Sequence, residues 1–463
     1  MSKYLILGAG ITGRRAAKAI RKKDAGGEIT VVEGQAAPFF ARPMLADMIG
    51  RSESAVQAAG KDKGWVADLG IQYKAGVRLK ELRLREQKAL LSTNQVIPFD
   101  RLLIAFGVQA RKLPCDKGDM SGVIYMDHLA DAQAIGSVVG SARKAVVYGA
   151  SFQSLSVIKA LLGNDIECTL VLPEARFWPG TLDTAASGIL EDLLRREGVE
   201  LVKNAPIHML NKEDGALRSV MVNDGKNIPA DLLVVTAPQT PVLDYLTRGE
   251  LSVDHGILVD RALRTNMENV FAAGDIAQIA AEPAANTAAR LGWLRAWKQG
   301  NIAGANMAGD YLTYDDIPSV RTKVLDLDIV CLGSSAAEGE GVSGDSGDYP
   351  YDEMPYIYKK MVYKDGKAAG AIFIGDVNEA SIVEDWIRKG LPAQDCNRKV
   401  LDSMLKPQFN RVDAHGVLCP VCKFHMQIDD DAPSGATVTC PVCGVDFCVE
   451  RLANGALHAA AVC

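Results

Sequence analysis

No cysteine precedes Cys115 in this chain of 463 residues, and only six histidines occur along its whole length. The ten cysteines are not spread as a secreted disulfide framework would spread them. Four of them stand in two Cys-x-x-Cys pairs near the C-terminal end, a distribution that reads as metal binding in a reducing compartment. Also missing is any apolar run long enough to span a bilayer. The N-terminus passes from Met1-Ser2-Lys3 straight into Tyr4-Leu5-Ile6-Leu7, without the apolar segment of a signal peptide. A cytoplasmic location with no membrane span is the expectation. Positive charge is in short supply too: a formal net charge of -6 and no basic block give no electrostatic reason to hold a phosphate backbone, which excludes nucleic acid as an expected partner. His128, His208, His255, His415 and His458 carry no partner pattern of a catalytic base, and Cys115, Cys168, Cys331, Cys396 and Cys463 stand alone as expected inert thiols.

What is present is the material of several cores. At roughly 150 residues per domain the length allows about three units. The 48% of hydrophobic residues sets the chain apart from the disordered class.

The apolar run Tyr4 to Leu7 leads directly into Gly8-Ala9-Gly10-Ile11-Thr12-Gly13, and Arg14 to Lys22 then has helical spacing. A second β-branched strand, Glu28 to Val32, ends at Glu33, twenty residues past Gly13. In a strand-turn-helix of this kind Gly8 permits the tight turn, Gly10 lets a pyrophosphate approach bare backbone, and Gly13 lets the helix close on the strand. The helix N-terminus would hold phosphate, and the Glu33 carboxylate would accept from a ribose hydroxyl pair. Further along, Leu102 to Ala105 reads as a strand running into Gly107. Ala145 to Ser154 echoes the opening turn, and Val270 to Gly274-Asp275 reads as a strand ending just before a helix. The glycine-, serine- and acid-rich segment 336–348 reads as a mobile loop.

Taken in order, these elements resemble the FAD-dependent pyridine nucleotide-disulfide oxidoreductases. Phe39-Phe40-Ala41-Arg42-Pro43-Met44-Leu45 and Gln299 to Gly309 are similar to the branch of the rubredoxin reductases and the flavin half of nitrite reductases, over about residues 1 to 400. The resemblance implies that FAD is held by Gly8, Gly10, Ile11, Thr12, Gly13, Glu33, Arg42, Val77, Ala105, Gly107, Gly274, Asp275 and Gln299. In that reading Asp275 takes the ribityl chain, Arg42 lies by the flavin, and the Val77 backbone reaches the adenine. The helix through Gln299 and Gly300 points its positive N-terminus at the pyrimidine edge of the ring. The flavin itself is the reactive group, and no side chain is assigned as catalytic.

Two departures from the family pattern matter. Members with a redox disulfide carry two cysteines soon after the first acid, where this chain has none, so dithiol chemistry at the usual place is excluded. In the echo of the opening turn Gly149 survives, while Ser151 and Ser154 stand for the second and third glycines. Leu172 falls at the ribose acid, Ser156 replaces a glutamate beside the nicotinamide, and Pro238 replaces a glycine. Two readings of NAD(P)H stay open: it binds with an altered grip, or this unit is a retained scaffold and the flavin trades electrons with another protein.

Cys419-Pro420-Val421-Cys422 and Cys440-Pro441-Val442-Cys443 are separated by seventeen residues, a spacing that suits one tetrahedral ion. Phe424 to Ile428 and Ala436 to Thr439 alternate as two strands of a hairpin with 429–435 as its turn. The pattern resembles a zinc ribbon. Cys-Pro-x-Cys-Gly is also a rubredoxin knuckle, where iron would serve as an electron relay; the short ribbon and Lys423 after the first knuckle favour zinc. Cys448 and His425 are spare positions.

The expected architecture is α/β, with two Rossmann-like three-layer dinucleotide-binding domains, an α+β C-terminal interface domain and a small four-cysteine metal ribbon. The expected boundaries are 1–108 with 250–318 for FAD, 109–249 for the nicotinamide-like unit, 319–410 for the interface domain and 411–463 for the ribbon. Tyr356 to Asp376 resembles the small C-terminal domain of the rubredoxin reductase branch, which often makes subunit contacts. The leading expectation is a flavin electron-transfer oxidoreductase working with an iron-sulfur, rubredoxin or metalloenzyme partner. The alternatives are an NAD(P)H-dependent reductase of a rubredoxin-like protein and a flavin-stabilised docking subunit.

Overall fold

The computed structural model describes the chain apart from residues 37–38, 52–63, 224, 242, 244, 247–249, 281–291, 326, 337–340, 345–356, 397–416, 423, 427, 429–431, 452–456 and 461–463. Among the described residues no helix is long and apolar enough to cross a membrane.

The opening strand Lys3–Leu7 is apolar at four successive positions because both its faces are covered, the mark of an interior strand in a parallel sheet. It pairs in parallel with Glu28–Glu33 on one side and Arg101–Ile104 on the other. Gln72–Ala75 and Val270–Ala272 complete the sheet, so a strand from beyond residue 250 lies in the same layer as the first. The helix Ile11–Lys23 covers it, and the helix Trp293–Met307 lies against that helix. Gly300 and Gly304 make this approach possible: a Cβ on either would run into the carbonyl oxygens of Thr12 and Ala16.

A second parallel sheet repeats the first. Lys144–Tyr148 is central, flanked by Glu167–Val171 and Leu232–Val235, with Glu200–Val202 and Val123–Tyr125 at the edges. Each sheet has its own three-stranded antiparallel companion, Leu79–Arg83 with Lys88–Leu91 and Val96–Pro98 in the first, Ile207–Glu213 with Ala216–Val222 and Lys226–Pro229 in the second. The chain passes between the two through an antiparallel pair, Val108–Ala110 with Gln239–Pro241.

A five-stranded antiparallel sheet follows, ordered Ser319–Val324, Leu327–Gly333, Lys367–Ile374, Tyr358–Lys364 and Gly341–Gly344, with the helix Ala380–Lys389 on it. The segment expected as a mobile loop therefore contributes a strand at Gly341–Gly344, because the backbone of Tyr358–Lys364 offers it a ladder. The rest of that segment lies partly outside the described residues.

Asp183 joins this sheet to the second parallel unit. Its carboxylate caps the helix Thr184–Arg196 by accepting from the Ala186 N–H at 2.8 Å. It also accepts from the Tyr358 hydroxyl at 2.7 Å and the Lys360 ammonium at 2.9 Å. Burial pushes the carboxyl up, but these donors outweigh it and hold the group below the ordinary aspartate value. Its contribution to stability is therefore complete above the unfolded pKa of about 3.9, and is lost as pH falls through the lower folded value. Asp183→Ala is expected to cost about 3 kcal/mol in denaturant unfolding at pH 7, and less at pH 3, since it removes the carboxylate that faces the nearly buried Lys360 ammonium.

At the C-terminal end the strands flanking the cysteine pairs do not form the expected single hairpin. His425–Met426 pairs with Val417–Leu418, and Ala436–Thr439 pairs with Asp446–Arg451, which continues to Leu457–Ala460. The reason is that a Cys-x-x-Cys knuckle is itself a tight turn. Each pair reverses the chain, so each knuckle sits at the tip of its own hairpin.

Candidate flavin and metal sites

A cavity of about 1420 Å³ runs between the two parallel sheets, the antiparallel sheet and the ribbon. Its floor is the opening turn: Gly8, Ala9, Gly10, Ile11, Thr12 and Glu33 line it, with Arg42, Ala105, Gly107 and Asp275 around them. Gly8 has φ +109°, a conformation side chains avoid, and its N–H donates to the Val32 carbonyl at 2.8 Å. A Cβ on Gly13 would collide with the Gly8 carbonyl oxygen, whereas a Cβ on Gly10 would meet nothing within 4 Å. Gly10 thus faces open space at the N-terminus of the helix Ile11–Lys23, where backbone N–H groups point outward. The Glu33 carboxylate accepts from the Ala9 N–H at 2.8 Å and the Gln35 N–H at 2.9 Å, which fixes it at the cavity edge. Asp275 accepts from the Gly292 N–H at 3.1 Å.

Arg42 donates to the Val108 carbonyl at 3.0 Å and to the Asp127 carboxylate at 2.7 Å. Its Nε is buried with no hydrogen-bond partner among the described residues, a donor left over for a bound ring. Burial lifts the Asp127 carboxyl above the usual range, against the pull of Arg42.

Four expected positions, Gly13, Val77, Gly274 and Gln299, do not line the cavity. Val77 donates its N–H to the Glu33 carbonyl at 3.0 Å. Gln299 is fully buried and accepts from the Gly274 N–H at 2.8 Å, tying the helix to the end of strand Val270–Ala272. The helix that carries Gln299 and Gly300 starts at Trp293, so its positive end is at Gly292 and Trp293, which do line the cavity. The helix expected directly after Gly274-Asp275 is displaced: the chain leads first into the strand Ala277–Ile279, held by Ile257–Val259. Sequence reasoning also missed Arg14, whose guanidinium lies 4.1 Å from the Phe39 ring centre and 4.3 Å from that of Trp65, on the cavity wall. The signal available was an arginine just past the third glycine.

The second parallel unit superposes on the first by register. Leu7 pairs with Val32 in one and Tyr148 with Val171 in the other, so Gly149, Ser151, Ser154 and Leu172 stand where Gly8, Gly10, Gly13 and Glu33 do. Likewise Pro238 stands at the place of Gly107. The two serines cap the helix Phe152–Leu162 reciprocally: Ser154 N–H donates to Ser151 Oγ at 3.1 Å and Ser151 N–H to Ser154 Oγ at 2.8 Å. Ser154 Oγ also donates to the Gly149 carbonyl at 2.6 Å, and Leu172 is fully buried. The cavity nevertheless continues past Ser151, Gln153, Glu174 and Gln239.

The four knuckle cysteines come together. The sulfurs of Cys419, Cys422, Cys440 and Cys443 lie within 4.8 Å of one another, two pairs at 3.6 Å, and all four residues are buried. Metal–sulfur bonds of about 2.3 Å in a tetrahedron place sulfurs about 3.8 Å apart, so the thiolates fit one ion without rearrangement. Cys448 is not part of this group. Around the sulfurs packs an apolar cluster that includes Met44, Phe40, Ala41, Trp293 and Leu294, all from the flavin-side elements. Trp293 donates its indole N–H to the Cys443 carbonyl at 3.1 Å.

The profile of the pyridine nucleotide-disulphide oxidoreductases matches residues 2–300. The chain belongs to that family. A second profile, that of the rubredoxin NAD+ reductase C-terminal domain, matches residues 318–391. The protein is 24% identical to the ferredoxin–NAD(+) reductase component of the biphenyl dioxygenase system of Paraburkholderia xenovorans, over 81% of this chain and 91% of the relative. It is 26% identical to the rubredoxin-NAD(+) reductase of Pseudomonas putida, over 59% of this chain and 71% of that one. The fold is shared with the covalent putidaredoxin reductase–putidaredoxin complex, with a TM-score of 0.77 and 19% identity over 87% of this chain and 98% of the other. As a member of this oxidoreductase family the protein is an FAD-dependent enzyme, and the open space above Gly10, the leftover Arg42 donor and the carboxylates of Glu33 and Asp275 fit that cofactor. The two profiles end at residue 391, short of the knuckles.

Proposed function

We propose that this oxidoreductase passes electrons between FAD and a protein redox partner, and that its nicotinamide site no longer grips NAD(P)H. The FAD would lie along the opening turn, with its diphosphate at Gly8, Gly10, Ile11, Thr12 and Gly13, its adenosine ribose at Glu33 and its ribityl chain at Asp275. Arg42, held by Asp127, would face the ring, which accepts a hydride or releases electrons singly when bound. The FAD unit is discontinuous in this reading, 1–108 with 250–318, which the place of Val270–Ala272 in the first sheet supports. The nicotinamide-like unit is 109–249, the interface unit 319–410 and the ribbon 411–463, with the interface unit as the surface for self-association and the cytoplasm as the location. The ribbon would hold one four-thiolate ion, zinc or iron.

The observation that carries the reading is the serine pair. Two leading N–H groups of the second helix, which a pyrophosphate would use, are consumed by Ser151 and Ser154, and the acid that would hold a ribose is the buried Leu172. The relatives named as reductases of ferredoxin and rubredoxin supply the class of partner, a small one-electron protein. A second reading, direct reduction by NAD(P)H, is favoured by the extension of the cavity to Glu174 and Gln239.

Anaerobic addition of NADH and then NADPH to the flavin-loaded protein separates the two. The flavin absorbance is expected to stay unchanged over minutes with either, and to bleach fully with dithionite. Rapid bleaching by a nicotinamide would overturn the proposal and establish the second reading.

A further inference from the structure

The ribbon is not an appendage: its first knuckle forms part of the wall of the flavin cavity. Pro420, Val421 and Cys422 line the cavity together with Arg42 and Asp275, and Val417, Leu457 and Ala459 extend that wall. A metal that only stapled the ribbon would need contacts within the ribbon. Here the thiolates share one apolar cluster with Phe40, Ala41 and Met44, the residues on either side of Arg42, and with Trp293 at the start of the helix facing the same space. The second knuckle rests on that helix as well, with the Cys443 carbonyl on the Trp293 indole and Gly444 against Trp297.

We infer that the four-cysteine site takes iron and serves as a one-electron relay between the flavin and the external acceptor; this rests on the flavin reading above. Four thiolates in a tetrahedron accept zinc or iron alike, but zinc has no redox chemistry, and only iron gives a use to a ligand loop placed in the flavin wall. Burial of all four cysteines among apolar side chains keeps water from the sulfurs, and the Cys422 N–H donates to Cys419 Sγ at 3.5 Å. Both are features that set the potential of an iron–thiolate centre. In the step, one electron leaves a flavin that carries two and converts a ferric ion to ferrous. All four iron–sulfur bonds persist, and the proton released by the flavin passes to water in the cavity. The second electron follows once a one-electron protein acceptor has re-oxidised the iron. Val421 and Cys422 on one side, with Phe40 and Trp293 on the other, supply the packed path.

The test uses the full chain purified without oxygen from cells supplied with iron, and the same chain loaded with zinc in vitro. Expected for the iron form are about one iron per chain, a high-spin ferric electron paramagnetic resonance signal that vanishes as the flavin bleaches, and a dithionite titration of about three electrons. The zinc form, equally folded, takes about two. Cys422→Ser is expected to lose the ferric signal while keeping FAD. Zinc at full occupancy with a two-electron titration in the iron-fed protein, or a ferric signal that survives flavin reduction, overturns the relay and leaves the flavin reading standing. A chain that binds no FAD defeats both.

Discussion

A chain carrying Gly10→Val folds as the parent does and comes off purification colourless. Gly10 has φ -63°, which valine adopts, and a Cβ there meets nothing within 4 Å, so the free protein has no reason to lose stability. That open space is where the diphosphate would lie. Two methyl groups over the N-terminus of the helix Ile11–Lys23 would stand between phosphate oxygens and the backbone N–H groups, and flavin affinity is expected to fall about 100-fold or more. Gly13→Ser should differ in kind. Its Cβ would strike the Gly8 carbonyl, so the helix must move, and both flavin content and melting temperature drop. The check is the ratio of flavin to protein together with apo-protein unfolding. Full flavin content in Gly10→Val would mean that no dinucleotide crosses the opening turn.

That contrast also shows what could be read from residues alone. The glycines of the first turn were legible because each answers a backbone demand that no other residue meets, and the register of the second sheet places Ser151, Ser154, Leu172 and Pro238 where the spacing put them. The helix read directly after Gly274-Asp275 was misplaced because a helix start depends on what precedes it, and the strand Ala277–Ile279 intervenes before Trp293. The ribbon strands were legible as strands, but their partners were not, since pairing depends on the turn each knuckle makes. The contact of Cys422 and Val421 with the cavity joins residues more than three hundred positions apart from Arg42, and nothing local in either segment announces it. Arg14 between Phe39 and Trp65 is of the same kind.

Removing the metal should undo the ribbon and uncover one side of the flavin cavity. The ribbon's own strands are two to six residues long, and the sulfurs of its four cysteines lie at the centre of its apolar cluster. Without a cation, either four thiolates within 4.8 Å repel one another or four thiols fill a space shaped for an ion. The ion contributes on the order of 10 kcal/mol or more in small four-ligand sites, far beyond what hairpins of this size gain by packing. Chelation under reducing conditions is therefore expected to release residues 417–449 to fast amide exchange, while the two parallel sheets, whose cores are separate from the ribbon's, keep their protection. Trp293 loses the Cys443 carbonyl and Trp297 loses Gly444, so tryptophan emission should shift to longer wavelength. Phe40, Ala41, Met44 and Leu294 lose their cover, so an added quencher should reach the flavin more readily in the metal-free chain. Slow exchange persisting at the knuckles after the metal has gone would show that packing alone holds the ribbon on the flavin unit.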